Sequence, residues 1–311
     1  EDIYQLARGI KWEEWFHVGN NIKVSTSAIA CPLKSLDFVT LRVKDAICDD
    51  FVERVDARPN VDKANPDMRI YNFLTSETAT IYLDTSGDTL FKRGYRRLKL
   101  EAPIRENLAF GLIKLSGWIP DRPFYDPMCG SGTLVVEAIS YGLNIAPGLN
   151  RNFAFEKFID FDSAKFEEMK TQAKAAINYE QKLQIFASDI NRTAVEIARQ
   201  NFQQIKLDHY VQFSHGDFVK KTAPAEGGVL VTNPPYGVRL DELDRLAEFY
   251  PLLSSTLKKE FAGWDCYFFT ADLRMPKLMR LKPSRKTPLF NGALECRLFK
   301  FEMVSGSNRK A

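Results

Sequence analysis

Asp126-Pro127-Met128-Cys129-Gly130-Ser131-Gly132-Thr133 stands between a short apolar run, Pro123–Tyr125, and the helix-forming stretch Leu134-Val135-Val136-Glu137-Ala138. Glycines at a strand-to-helix turn let the backbone come close to a ligand, because no Cβ stands in the way. A dinucleotide enzyme would carry Gly-x-Gly-x-x-Gly at such a turn and seat a pyrophosphate on the helix N-terminus. This chain has only Gly130-x-Gly132, and an acid opens the motif. A carboxylate there suits a ligand with a cationic end, such as the amino-acid moiety of S-adenosylmethionine. Cys129 reads as a small turn residue rather than a nucleophile.

Outward from that turn, the chain alternates helix and strand, the pattern of a parallel sheet with crossover helices. A helix is expected from Ala102-Pro103 to Gly117, with Ile104, Leu108, Leu112 and Leu115 on one face. Strands are expected at Pro123–Tyr125, Leu183–Ala187, Val211–Ser214, Val229–Thr232 and Trp264–Thr270, with helices at Arg192–Ile205 and Asp241–Phe261. A Phe- and Lys-rich insertion, about Pro147 to Lys182, interrupts the pattern. The end, Thr287 to Met303, reads as a hairpin turning at Asn291-Gly292.

Three further motifs close strands of this series. Asp189 ends Ile185-Phe186-Ala187-Ser188-Asp189, where a carboxylate can accept from both hydroxyls of a ribose. It lies 63 residues beyond Asp126, against roughly 20 in a minimal dinucleotide-binding unit, so the insertion must fall between them. Gly216-Asp217-Phe218 follows the next strand; the Asp can accept from an adenine amino group and the Phe can pack on its ring. Thr232-Asn233-Pro234-Pro235-Tyr236-Gly237 follows Val229-Leu230-Val231. Two prolines stiffen the backbone and leave carbonyls without local donors. A conjugated amine is a poor nucleophile, because its lone pair is delocalised into the ring. Hydrogen bonds from its N–H groups to the Asn233 side-chain oxygen and the Pro234 carbonyl favour a pyramidal nitrogen and stabilise the charge growing on it. Tyr236 can stack on the base and hold it in line. A base inside a duplex cannot reach such a pocket, so the target is unpaired or flipped.

Ahead of residue 88 the chain reads as α+β. Residues 3–16 have loosely helical spacing, 22–26 alternate like a strand, 39–55 form an amphipathic helix, and 69–74 and 78–84 make two strands around Ser76-Glu77. The boundaries expected are 1–87 for this domain, 88–101 for a basic linker and 102–311 for the second domain. Lys92, Arg93, Arg96, Arg97 and Lys99 crowd into the linker, and Arg274, Lys277, Arg280, Lys282, Arg285 and Lys286 form a second run without an acid among them.

The 311 residues carry 45% apolar and 27% charged side chains and a net charge of +3, which suits packed cores and an ordinary soluble surface. No stretch approaches the roughly 18 apolar residues of a membrane span, and the start has no signal pattern. That start, Glu1-Asp2-Ile3-Tyr4, lacks an initiator Met, as in a fragment or a renumbered segment. Five scattered cysteines and three separated histidines, His17, His209 and His215, suggest neither a disulfide framework nor a metal site. A reduced, cytoplasmic protein is expected, with no metal and no membrane partner; its oligomeric state is open.

The four motifs in this order resemble the class I S-adenosylmethionine methyltransferases of the amino-methylating type. The resemblance implies a Rossmann-like seven-stranded α/β sheet whose last strand is antiparallel. Gly87-Asp88 through Arg93-Gly94-Tyr95-Arg96, Ala102-Pro103-Ile104-Arg105-Glu106-Asn107-Leu108-Ala109 and Asn233-Pro234-Pro235-Tyr236-Gly237-Val238-Arg239-Leu240 narrow it further. With them the whole chain resembles the THUMP-domain RNA guanine-N2 methyltransferases, above all the bacterial 23S ribosomal RNA enzymes. Residues 1–85 then look like the THUMP domain, an RNA-binding module, with Arg42-Val43-Lys44-Asp45-Ala46 on its helix.

In the roles so implied, Asn233, Pro234 and Tyr236 are catalytic. Asp126, Pro127, Cys129, Gly130, Gly132, Thr133, Asp189, Asp217, Phe218 and Asn233 surround S-adenosylmethionine. Arg42, Lys44, Lys92, Arg93, Arg96, Arg97 and Arg239, with the 274–286 run, meet RNA. The expected activity is methylation of a guanine N2 amine in 23S rRNA. The alternatives are a transfer RNA guanine-N2 methyltransferase and a non-catalytic RNA-binding or ribosome-assembly factor; more distant are DNA adenine or protein glutamine methyltransferases, which the THUMP-like residues count against. Relatives usually carry a small ferredoxin-like region first, which has no counterpart here. Some fuse a second methyltransferase behind the first, and with the chain ending at Ala311 a dual-function enzyme is not expected.

Overall fold

The structure, a computed structural model, describes residues 1–95, 104–235 and 240–305, and only the backbone of 240–243. In chain order its elements are α1 (Asp2–Arg8), β1 (Ile22–Ala28), α2 (Leu36–Val55), β2 (Met68–Leu74), β3 (Ala79–Leu83), α3 (Glu106–Ser116), β4 (Phe124–Asp126), α4 (Thr133–Gly142) and α5 (Ser163–Ala175). There follow β5 (Ile185–Asp189), α6 (Arg192–Gln204), β6 (Val211–His215), β7 (Gly228–Thr232), α7 (Leu240–Glu260), β8 (Trp264–Thr270), α8 (Met275–Met279), β9 (Arg285–Asn291) and β10 (Leu294–Glu302). They divide into two compact units, Glu1–Lys92 with Asn150–Gln172, and Arg93–Leu149 with Ala173–Ala311.

In the first unit a three-stranded sheet has the order β1-β2-β3, with β1 and β2 parallel and β3 antiparallel to β2. Alternation along β2 buries Met68, Ile70, Asn72 and Leu74 on the face that α2 covers. Helix α2 begins where the Ser35 hydroxyl accepts from the Phe38 N–H (3.2 Å) and buries Val39, Val43, Ala46, Ile47 and Phe51. The helical spacing over 3–16 is split in the structure. Helix α1 stops at Gly9, and a short 3₁₀ turn over Trp12–Glu14 turns the Trp12 indole back to donate to the Ala7 carbonyl (2.9 Å). The insertion contributes to this unit through Asn150–Gln172, which the expected boundaries assign to the second domain. Phe155 N–H donates to the Thr85 carbonyl (3.0 Å), Ile159 N–H to that of Trp15 (3.1 Å), and Lys157 pairs with Asp67.

The second unit is a seven-stranded sheet of order β6-β5-β4-β7-β8-β10-β9, with β10 antiparallel to both its neighbours. The Asn291-Gly292 hairpin is present, with Gly292 at φ 65°. Helices α3 and α4 and part of α6 cover one face of the sheet, while α7 and α8 bury Leu246, Tyr250, Leu253, Leu257, Met275 and Met279 on the other. Every residue of β7 is buried, as a central parallel strand covered on both faces requires. Helix α3 starts at Glu106, with Arg105 before it extended, and the expected start at Ala102-Pro103 lies outside the described residues. No helix among the described residues is long and apolar enough to cross a membrane.

Candidate active site

Sheet order decides what meets at the carboxyl edge. The first strand of the second unit, β4, is central; β5 pairs with it on one side and β7 on the other. The edge between them is therefore a topological switch point, where open α/β sheets bind ligands. Three sequence motifs that span over a hundred residues thus lie side by side.

The glycine turn is the middle of the three. Gly130 (φ 52°) and Gly132 (φ 86°) are both left-handed, and nothing lies within 4 Å of where a Gly130 Cβ would stand. The Gly130 N–H donates to Asp189 Oδ2 (2.9 Å), and the Cys129 N–H to the Ser188 carbonyl (2.9 Å). The turn after β4 is thereby tied to the end of β5. Asp189 Oδ1 also accepts from the Asn191 N–H (2.8 Å), and an oxygen with one such bond keeps a further lone pair for a ribose. Next in the row, the Gly216 N–H donates to the Asp189 carbonyl (3.0 Å), and Asp217 Oδ1 caps the 3₁₀ turn Phe218–Lys220 through the Val219 N–H (3.2 Å). Phe218 differs from expectation. It is 3% exposed and packs on Tyr125 and Phe261 (centroids 6.1 and 5.2 Å), so its ring is part of the core beneath the edge.

Asp126 is wholly buried. Its Oδ1 accepts from the Thr232 hydroxyl (2.8 Å) and the Met128 N–H (3.2 Å). Burial pushes its carboxyl up to about 7, against the pull of those two donors, and the nearby Asp189 adds to the rise. A buried carboxylate so held calls for a cation, which the ammonium of an amino-acid moiety supplies. Together with the open space at Gly130 and the lone pairs of Asp189, the donor set fits S-adenosylmethionine. Cys129 is buried, and burial raises its thiol well above the ordinary range, so it is inert in the turn. Thr133 is buried at the first position of α4.

Thr232 links the glycine turn to the amine-binding motif. Its hydroxyl on Asp126 sets the end of β7, so that Asn233 and Pro234 follow directly. Asn233 is half-buried, Pro234 buried and Pro235 exposed. Tyr236 and Arg239 lie outside the described residues, as do Arg96 and Arg97. Among the described residues no group of His, Cys, Asp and Glu could hold a metal ion.

The expected RNA contacts divide. In the first unit, Arg42 lies over the Tyr4 ring (4.3 Å to the centroid) and pairs with Glu1 (3.3 Å), while Lys44 pairs with Asp45 (2.5 Å). Lys92 is exposed, 3.7 Å from Asp88. Arg93 is the correction. Its side chain is 12% exposed and pairs with Glu137 of α4 (3.2 Å), which is itself buried and accepts from the Tyr95 hydroxyl (2.9 Å). A guanidinium committed to a buried carboxylate holds the start of the second unit together and does not reach a phosphate. Sequence reasoning missed Glu137, Thr232 and Ser188. An acid inside an otherwise apolar helical stretch was the available signal for Glu137; nothing local marks the other two.

Two family models match the chain, the THUMP domain over residues 1–84 and the RMKL-like methyltransferase domain over residues 93–300. The ribosomal RNA large subunit methyltransferase K/L of Psychromonas ingrahamii is 39% identical over 95% of the chain, and that of Shewanella oneidensis 34% identical over 100%. The chain spans 40% and 44% of the length of these two relatives. Among solved structures, that of SMU.472 in complex with SAH superposes with a TM-score of 0.89 at 31% identity, covering 98% of this chain and 81% of the other.

Proposed function

The chain belongs to the RMKL-like methyltransferase family and carries a THUMP domain in front, and from that premise we propose that it methylates the exocyclic N2 amine of a guanine in RNA, with 23S rRNA as the substrate. The observation that carries the reading is the Thr232–Asp126 hydrogen bond. It joins the motif suited to a planar amine to the turn suited to a cationic cofactor. S-adenosylmethionine, when bound, supplies a methyl group activated on a sulfonium. Asp126, Gly130, Asp189 and Asp217 would hold it. The Asn233 side-chain oxygen and the Pro234 carbonyl would accept the two amine N–H groups and turn the nitrogen's lone pair out of conjugation, and Tyr236 would stack on the guanine. Asn233 carries no base strength, so its contribution would be orientation and charge stabilisation. Exchange of the methyl's bond to sulfur for one to nitrogen would leave the cofactor as the neutral thioether S-adenosylhomocysteine, and the methylated, positively charged nitrogen, strongly acidic, would lose its proton to solvent. A ribosomal RNA substrate fits a cytoplasmic protein.

The test is methyl transfer from radiolabelled S-adenosylmethionine to total RNA lacking endogenous modification, followed by size separation and nucleoside analysis. Label in 23S rRNA as N2-methylguanosine is expected. Asn233→Ala should lower kcat by about 10²–10³, the usual cost of one oriented polar group at the reacting centre. Label confined to small RNA would move the substrate to tRNA. Cofactor binding without transfer to any RNA would replace the enzyme by an RNA-binding factor.

A further inference from the structure

β8 pairs with β7 in parallel, Thr232 opposite Phe268. The chain leaving β8 after Thr270 therefore emerges at the same sheet edge as Asn233, one strand away. That segment is Ala271-Asp272-Leu273-Arg274. Asp272 is 6% exposed although it is a carboxylate. Its own N–H donates to Thr270 Oγ1 (3.0 Å), and its Oδ1 accepts from the backbone N–H of Arg274 (3.0 Å). The same carboxylate accepts two bonds from the Arg274 guanidinium, Nε to Oδ1 and Nη2 to Oδ2, both 2.9 Å. Tyr250 of α7, wholly buried, lies close enough that Asp272 helps burial to raise its phenol. The acid is thus fixed from below, and it fixes the arginine above it.

The Arg274 side chain is nonetheless 49% exposed. A guanidinium carries five N–H donors in a rigid plane. Asp272 takes the Nε–Nη2 edge, which leaves the Nη1–Nη2 fork without a partner in the described structure. That fork matches two non-bridging oxygens of a phosphodiester. An arginine already held in one orientation loses little further freedom on binding. In the chain after it Lys277, Arg280, Lys282, Arg285 and Lys286 are exposed, with no acid from Arg274 to Lys286, although Asp244 of α7 is near enough to act on Arg274. An exposed run of that sign attracts a polyanion rather than a neutral base edge.

We propose that Arg274, aimed by the buried Asp272, clamps a backbone phosphate of the substrate RNA beside the reacting nucleotide, with Asp272 acting as a positioning residue. The proposal rests on the RNA substrate argued above, but not on the transfer step.

The experiment measures equilibrium binding of in vitro transcribed 23S rRNA to the full chain between 50 and 200 mM salt, alongside affinity for S-adenosylhomocysteine as a check on folding. Arg274→Ala should weaken RNA binding about tenfold, the loss of one charge-assisted contact. It should also reduce the slope of log K against log salt by about 0.7–0.9, one phosphate's worth of released counterions. Arg274→Lys should keep the slope and still bind several-fold more weakly, since the fork is lost. Asp272→Asn should weaken RNA binding, and the double variant D272N/R274A should bind no more weakly than R274A alone; a merely structural Asp272 would add its own loss. Should D272N fail to fold, the two Arg274 variants still decide. R274A binding with unchanged affinity and slope, or a wild-type chain that binds no RNA, overturns the clamp. A wild-type chain that binds rRNA and transfers no methyl sinks the methyltransferase reading alone and leaves the clamp to be scored on binding.

Discussion

Replacing Gly132 by alanine tests how tightly the cofactor turn is built. Gly132 has φ 86° and ψ 19°, the left-handed region, which an L residue enters at a cost of about 1–2 kcal/mol. A Cβ there would stand 2.6 Å from Cε2 of Phe202 and 3.4 Å from its Cζ, with Ala198 Cβ at 3.5 Å. Phe202 cannot easily retreat, being wholly buried on α6 and edge-on to Phe213 with centroids 5.1 Å apart. Such overpacking costs about 1–3 kcal/mol, so Gly132→Ala should lose about 2–5 kcal/mol in all. Gly130 supplies the internal control. It shares the left-handed backbone (φ 52°), but nothing lies within 4 Å of its Cβ position, so Gly130→Ala should lose the conformational part alone. Urea unfolding followed by tryptophan fluorescence compares the two, with equal m-values confirming that stability alone has changed. A Phe202→Leu change removes the ring, and in combination with Gly132→Ala it should cost less than the sum of the two single changes. Equal midpoints for G130A and G132A, or strict additivity in the double variant, would refute the reasoning.

Two further outcomes follow from buried charge. Glu137→Gln leaves Arg93 buried without its counter-charge and should cost about 3–5 kcal/mol, whereas the apolar pair R93M/E137L should recover much of that loss; a urea midpoint unchanged by E137Q would show that the pair does not hold the start of the second unit. For Asp126, the carboxyl is at about 7 when folded and 3.8 in an unfolded chain. Between those values the folded protein retains a proton that the unfolded chain has lost, so this group's contribution to stability declines as pH rises from about 4 to about 7 and is level above. A cationic cofactor favours the ionised form, so its binding should release a proton below pH 7 and tighten with rising pH, by at most about tenfold per unit. Calorimetry from pH 5.5 to 8 on wild type and Asp126→Asn decides; an affinity independent of pH in the wild type removes Asp126 from the cofactor's cationic end.

Much of this molecule is written in local features. Helix and strand periods, the Gly130 and Gly132 turn, the run of carboxylates closing successive strands and the Asn291-Gly292 hairpin depend on backbone preferences over a few residues. A parallel sheet follows from the alternation of strands with helices, while its seven strands come from the resemblance and their order only from the fold. Those features place the motifs on one sheet edge before any contact is known. The pairings made across that edge are a different matter. Thr232 meets Asp126 because β7, though fourth among the parallel strands in sequence, lies next to β4 in space. Arg93 reads as one more cation in a basic linker until α4 is seen to bury Glu137 against it, and Phe218 as a ring for adenine until α7 closes over it. Residues 150–172 read as an interruption of the methyltransferase until their backbone is found bonded to Thr85 and Trp15. Charge and aromatic character are properties of a residue, legible one letter at a time. Whether a side chain spends them on solvent, on a ligand or on another side chain is decided by what the fold brings within hydrogen-bond reach from a hundred residues away.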